Sequence, residues 1–303
     1  MAFDDWRSSV KSLVDALTKK GRVLISDGAW GTQLHKRGLQ AGTCPESWNI
    51  THRADVMSVA QGYVDADADM ILTNSFGGHP LKLAHFGFDS RAAELNEAAA
   101  AISREAAGPE RFVLGSMGPT GVVLMMGEVP EEVVYEGYCV QAQALERGGV
   151  DVLCIETMSA VDEACLAIRA ARSVTRCEIA CTFTFEKGAA GFRTMMGVSP
   201  EEMVQALAEA GADIIGANCG NGIDGMVEVV RAIRAVTVTT PVLVHANAGK
   251  PIFRDGVTVF PETPEDMAAK VSDLVTAGAN IIGGCCGTGP EHIRAMAGII
   301  KRQ

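Results

Sequence analysis

A chain of 303 residues, 48% hydrophobic and 21% charged, is long enough to bury a large core without covalent staples. Its formal net charge of -11, with no basic cluster, excludes the phosphate-driven affinity of a nucleic-acid binder. No stretch approaches the roughly 20 apolar residues of a membrane span, and the amino terminus lacks the apolar core and cleavage site of an export signal, so the expected location is the cytoplasm.

The first predicted element is a short amphipathic helix at the amino terminus, with Val10, Leu13, Val14 and Leu17 along one side. Eight short apolar runs follow: 23–26, 70–73, 112–115, 152–155, 179–182, 214–217, 242–245 and 281–283. Such continuously apolar runs are expected of parallel strands buried on both faces. Helical patterns fill the gaps, including 91–106, 130–147, 160–174, 200–210, 224–236, 264–277 and 290–301. Several open on Pro followed by acids, as at Ser199-Pro200-Glu201 and Thr263-Pro264-Glu265, which suits the first turn and its dipole. Others close on glycine, at Gly148-Gly149, Gly211 and Gly278. Eight alternating units predict a closed (β/α)8 barrel in one domain spanning 1–303. A doubly wound sheet would carry a glycine-rich phosphate turn after its first strand, and Ser26-Asp27-Gly28-Ala29-Trp30 is a weak version of one.

Barrel chemistry sits at the C-terminal ends of the strands. The residues there are Asp27-Gly28, Asn74, Glu156-Thr157, Asn218-Cys219, Asn247 and Cys285-Cys286. Neighbouring residues of a strand point to opposite faces. Cys285 and Cys286 can therefore face one ion only where the strand has ended and the chain bends, which the flanking glycines permit. Cys219 lies two βα units upstream, so its strand tip should be roughly 10 Å away, within reach of inward side chains. Three thiolates suit zinc and leave a fourth position open. A thiol bound there would lose its proton and stay nucleophilic, whereas a free thiol near pKa ~8.5 is mostly protonated at neutral pH. The alternatives are a structural cysteine pair or a vicinal disulfide. Cys154, Cys165, Cys177 and Cys181 sit among apolar residues and read as small buried hydrophobes.

Asp27 and Glu156 would suit the ammonium group of an amino acid, and the amides around Gly28 and Ala29 its carboxylate. Either acid could instead cap the following helix. Asn74, Asn218 and Asn247 could equally serve local turn geometry. His245 competes with the thiols as a zinc ligand but reads better as a support for the rim. Trp30 and Trp48 could wall a pocket, although core packing is the plainer role. The methionine pairs Met125-Met126 and Met195-Met196 suggest contacts at the mouth.

These residues resemble the homocysteine-binding, zinc-dependent S-methyltransferase family. The resemblance is carried by Asp27-Gly28-Ala29-Trp30-Gly31-Thr32, Thr73-Asn74-Ser75-Phe76, Gly118-Pro119-Thr120-Gly121, Ile155-Glu156-Thr157, Gly216-Ala217-Asn218-Cys219, Asn247-Ala248-Gly249-Lys250-Pro251 and Gly283-Gly284-Cys285-Cys286-Gly287-Thr288. Within it, Pro45-Glu46-Ser47-Trp48-Asn49-Ile50 and the Asn247–Pro251 run are most similar to the homocysteine module of cobalamin-dependent methionine synthase. The resemblance implies zinc on Cys219, Cys285 and Cys286. It implies the substrate's amino-acid end near Asp27, Gly28 and Glu156, with Asn74 and Asn218 at family positions. It also implies methyl transfer to a zinc-bound substrate thiolate, with no protein nucleophile and with methionine as product.

The sequence contains no Asp-x-His-x-x-Gly stretch of the corrinoid-ligating kind. The expected methyl donor is therefore supplied in trans, by methylcobalamin on a separate corrinoid protein linked to a methyltetrahydrofolate-binding partner. Betaine or S-methylmethionine is the alternative. A demethylase component that disposes of a methyl group on homocysteine, and a non-catalytic zinc module that holds a partner, are rival readings.

Overall fold

A computed structural model describes residues 11–20, 22–189, 191–254 and 257–302. Eight parallel strands form the barrel: β1 (Leu24–Ile25), β2 (Met70–Leu72), β3 (Phe112–Met117), β4 (Val152–Met158), β5 (Glu178–Phe183), β6 (Ile214–Asn218), β7 (Val242–Ala246) and β8 (Ile281–Gly284). Their order is β1-β8-β7-β6-β5-β4-β3-β2. Helices alternate with them, so the (β/α)8 expectation holds. Two short antiparallel hairpins, Glu186–Gly188 with Gly191–Arg193 and Ile252–Arg254 with Val257–Val259, project from the segments after β5 and β7, where the sequence predicts only loops. The helix expected over 264–277 is two pieces, Pro264–Ala269 and Val271–Ala277, meeting at Lys270.

Side chains close the seam between β1 and β2. The Asp69 amide donates to the Ile25 carbonyl at 2.8 Å. The Ile25 amide donates to Asp69 Oδ2 at 2.9 Å, and the Leu72 amide to Asp27 Oδ2 at 2.8 Å. Two carboxylates thus take backbone donors that a strand ladder would satisfy. This accounts for the shortness of β1.

The interior is packed by Leu24, Met70, Leu72, Leu114, Val152, Cys154, Ala180, Ile214, Leu243 and Ile281. Leu13 and Leu17 of α1 (Leu13–Lys20) join that cluster and plug the N-terminal end of the barrel. The amides of Leu13 and Val14 and the hydroxyl of Ser12 all donate to the carboxylate of Glu178, at the start of β5. An acid borrowed from a strand thus satisfies the orphan donors of the helix's first turn. Val10 lies outside the described residues. A second core fills the space between strands and outer helices. Among the described residues no helix is long and apolar enough to cross a membrane.

Candidate metal centre

Cys219 directly follows β6, and Cys285 and Cys286 follow β8. Their sulfur atoms all lie within 4.8 Å of one another, with Cys219 Sγ 3.9 Å from Cys286 Sγ. Two sulfurs on one tetrahedral zinc at about 2.3 Å stand roughly 3.8 Å apart, so the donor set fits that ion. Among the described residues no other group of three His, Cys, Asp or Glu side chains meets this way. All nine cysteines are free thiols.

The backbone is bent to bring the sulfurs together. Cys219 has φ of 60°, and Thr157 on the neighbouring wall has φ of 63°. Left-handed conformation costs a non-glycine residue about 1–2 kcal/mol, and such strain collects at functional sites. Hydrogen bonds hold both residues there. The Cys219 amide donates to the His245 carbonyl at 3.0 Å. Asn218 Oδ1 accepts from the Thr157 amide at 2.8 Å and from Thr182 Oγ1 at 2.7 Å, while its Nδ2 donates to Thr157 Oγ1 at 2.7 Å. The β4–β5 register shifts between Ile155 and Met158, so Glu156 and Thr157 form a bulge at the cavity. At the other loop, the Cys285 amide donates to the Ala246 carbonyl at 2.7 Å. Gly287, with φ of +84°, turns the chain back toward the helix at Pro290–Ile300.

The triad shares protons. Cys219 accepts from the thiols of Cys285 and Cys286, which pulls it far below the usual thiol value. Bonding to Cys219 and burial push the other two up, Cys286 to about 12. Only a cation would let all three ionise. The Asn247 side chain also bonds Cys219, and its Oδ1 is buried without a partner.

The triad opens on a cavity of about 290 Å³. Trp30, Glu46, Asn74, Phe76 and Glu156 line it along with the cysteines. Glu156 is 8% exposed. Its Oε1 accepts from Ser116 Oγ. Burial, then the charges of Asp27 and Cys219, raises it to about 7 despite that bond.

Two residues assigned to substrate contact do not line the cavity. Asp27 is fully buried behind the wall, where Leu72, Trp30 Nε1 at 2.8 Å and Ser26 occupy its oxygens. Burial raises it to about 7. Asn218 is also fully buried, engaged by Thr157 and Thr182. Gly28 and Ala29 line the cavity, but the Ala29 amide already donates to Thr288 Oγ1 at 3.1 Å. Asn74 lines it too, and its amide is spent on the Pro45 carbonyl and Asn49 at 2.8 and 2.9 Å.

His245 is buried and outside the metal-like group. Burial lowers it to about 4, so its ring is neutral at pH 7. Trp48 packs in the core, stacked on His52, while Trp30 walls the cavity. Met125, Met126 and Met195 are exposed, on the segments after β3 and β5. Cys154, Cys177 and Cys181 are buried and Cys165 half-buried, as small hydrophobes are. Glu46 is a cavity residue to which the sequence gives a place in the Pro45–Ile50 run but no role of its own. Its oxygens accept from the Gly77 amide at 2.7 Å and the Cys44 thiol at 3.2 Å, tying the first two βα loops together.

Residues 24–300 match the homocysteine S-methyltransferase family. Methionine synthases from Mycobacterium tuberculosis (strain ATCC 25618 / H37Rv) and Mycobacterium leprae (strain TN) are each 30% identical, over 95% and 93% of the chain. The chain spans only about a quarter of their length, 25% and 24%. The metallated form of the homocysteine methyltransferase MmuM from Escherichia coli has a TM-score of 0.79 at 23% identity, covering 96% of this chain and 99% of that one. A methyltransferase from Methanosarcina mazei gives 0.62 at 12% identity, with 96% and 97% covered. These two structures share the barrel. With its sequence matched from the first strand to the last helix, the chain belongs to the homocysteine S-methyltransferase family.

Proposed function

We propose that this chain holds the thiol of homocysteine at Cys219, Cys285 and Cys286, holds its amino-acid end at the Glu156 side of the same cavity, and yields methionine. One observation carries the reading: three convergent sulfurs and a buried carboxylate, with no cationic partner among the described residues, share one small cavity. Zinc on the triad supplies a Lewis acid that lowers the proton affinity of a bound thiol.

The chain's own groups do the rest. Ser116 holds one oxygen of Glu156, and the other takes the substrate ammonium. Burial raises the proton affinity of Glu156, and the charge of Asp27 behind the wall adds to it. Gly28 and the neighbouring amides of its turn take the substrate carboxylate, since the Ala29 amide is engaged. Trp30 and Phe76 shield the sulfur from water. Asn218 and Asn74 position the walls, and the Asn247 side chain holds the sulfur of Cys219, which would carry the ion. The thiolate then attacks the methyl carbon in line. A sulfur–carbon bond forms, and the electron pair of the broken bond stays with the donor. No covalent intermediate with the protein is needed, and alignment of the two reactants supplies much of the rate.

The proposed donor is methylcobalamin on a corrinoid protein, recharged from methyltetrahydrofolate, as in a split methionine synthase. The 30% identity to methionine synthases supports it. So does the cavity, whose volume of about 290 Å³ suits a small amino acid and is too small to enclose a corrinoid. The test is to give zinc-loaded protein and homocysteine four donors in parallel: methylcobalamin, a methylated corrinoid protein, betaine and S-methylmethionine. Methionine from the corrinoid donors is expected. Methionine from betaine or S-methylmethionine alone overturns the donor assignment, and methionine from none overturns the activity.

A further inference from the structure

We propose that Thr288 is a positioning residue that ties the metal loop to the amino-acid turn and thereby sets the length of thiol substrate the site accepts. The inference rests on the homocysteine reading above. Thr288 is fully buried. Its hydroxyl donates to the carbonyl of Cys285 at 2.7 Å and accepts from the amide of Ala29 at 3.1 Å. One oxygen therefore touches the backbone of a metal-triad residue and the backbone of the turn that walls the amino-acid end.

The surroundings are built for that oxygen. A Cβ on Gly28 would lie 2.6 Å from it, and one on Gly284 would lie 2.3 Å from it. Any side chain at either glycine would expel the hydroxyl. The Ala29 residue is gripped from its other side by Tyr63, whose hydroxyl donates to the Ala29 carbonyl at 2.7 Å. Tyr63, Ala29, Thr288 and Cys285 thus form one hydrogen-bonded line from an outer helix to the triad.

A substrate anchored at both ends reads the distance between its anchors. Homocysteine has one methylene more than cysteine, a difference that a rigid pocket can turn into about 10- to 200-fold discrimination. With Thr288 in place, loop and turn keep one separation. Without its hydroxyl the loop can close toward the turn and admit the shorter thiol.

The test uses zinc-loaded and metal-free protein, with Thr288→Val and Thr288→Ser. In the unaltered protein, zinc should slow hydrogen exchange at the Ala29 amide, because order at Cys285 passes through the hydroxyl. Thr288→Val should bind zinc at full stoichiometry yet lose that zinc-dependent protection. Its preference for homocysteine over cysteine, read as binding by calorimetry and as KM, should fall about tenfold with a smaller change in kcat. Thr288→Ser should restore both. A Val variant that keeps the preference and the protection overturns the proposal. If that variant does not fold, the unaltered protein decides: Ala29 exchange indifferent to zinc overturns it. Absence of homocysteine binding by the unaltered zinc-loaded protein would instead remove the functional reading, while the exchange comparison still tests the coupling.

Discussion

Asp27 accepts the Leu72 amide at 2.8 Å and so bridges the barrel where β1 and β2 lack a ladder. It does so without a cation and fully buried, which raises it to about 7. An unfolded aspartate titrates near 3.9. Between those values the folded protein binds the extra proton, so this group's contribution to stability is greatest at low pH and is lost as pH rises through about 7. In urea denaturation of the metal-free protein from pH 4.5 to 8, Asp27→Asn should remove that downward component. An unchanged difference between the two proteins across the range would refute the assignment.

Each of Cys219→Ala, Cys285→Ala and Cys286→Ala should reduce zinc from one ion per chain to near none, measured by metal analysis after dialysis. Retention of full zinc by any one variant removes that residue from the ligand set.

Glu156 is the cavity carboxylate proposed to meet the substrate ammonium. Loss of a charged hydrogen bond is worth about 1.5–3 kcal/mol, so Glu156→Gln should raise KM for homocysteine about 10- to 100-fold with zinc content intact. Because the group sits at about 7 in the free protein, KM in the unaltered enzyme should fall as pH rises through that value. The Gln variant should lose this component. Parallel pH profiles would exclude Glu156 from ammonium binding.

Asn218 braces the strained Thr157 bulge through two hydrogen bonds and ties it to Thr182 of β5 through a third. Asn218→Ala leaves buried donors unpaired and should cost about 2–4 kcal/mol in chemical denaturation. It should also raise KM for homocysteine by letting the Glu156 bulge relax. A loss below about 0.5 kcal/mol would show that the brace is dispensable.

Glu178→Ala should cost about 1–2 kcal/mol, because two helix amides and Ser12 lose their acceptor at the start of α1. Faster proteolysis near residue 12 than in the unaltered chain is the accompanying readout.

The barrel is legible in the sequence because its strands are apolar on both faces, and a short period-free run such as 242–245 fits a buried parallel strand better than a helix. The triad is legible because a cysteine pair framed by glycines at a strand end has little structural use. The hairpins are not, since Glu186–Gly188 and Ile252–Arg254 are exposed throughout and the single buried residue of Gly191–Arg193, Phe192, sets no period. Asp255-Gly256, a favoured hairpin dipeptide, is the available signal for the second. The place of Asp27 is also hidden. A carboxylate after a buried strand looks the same whether it faces a ligand or closes a seam. Thr288 meets Ala29 across 259 positions, a contact that no local pattern encodes.

The plug that α1 forms against Glu178 and the interior leucines fills the end of the barrel opposite the triad, leaving the cavity to open toward the C-terminal rim. On the proposed function, acceptor and donor would share that rim, so the amino acid would have to be seated before a bulky donor covers it.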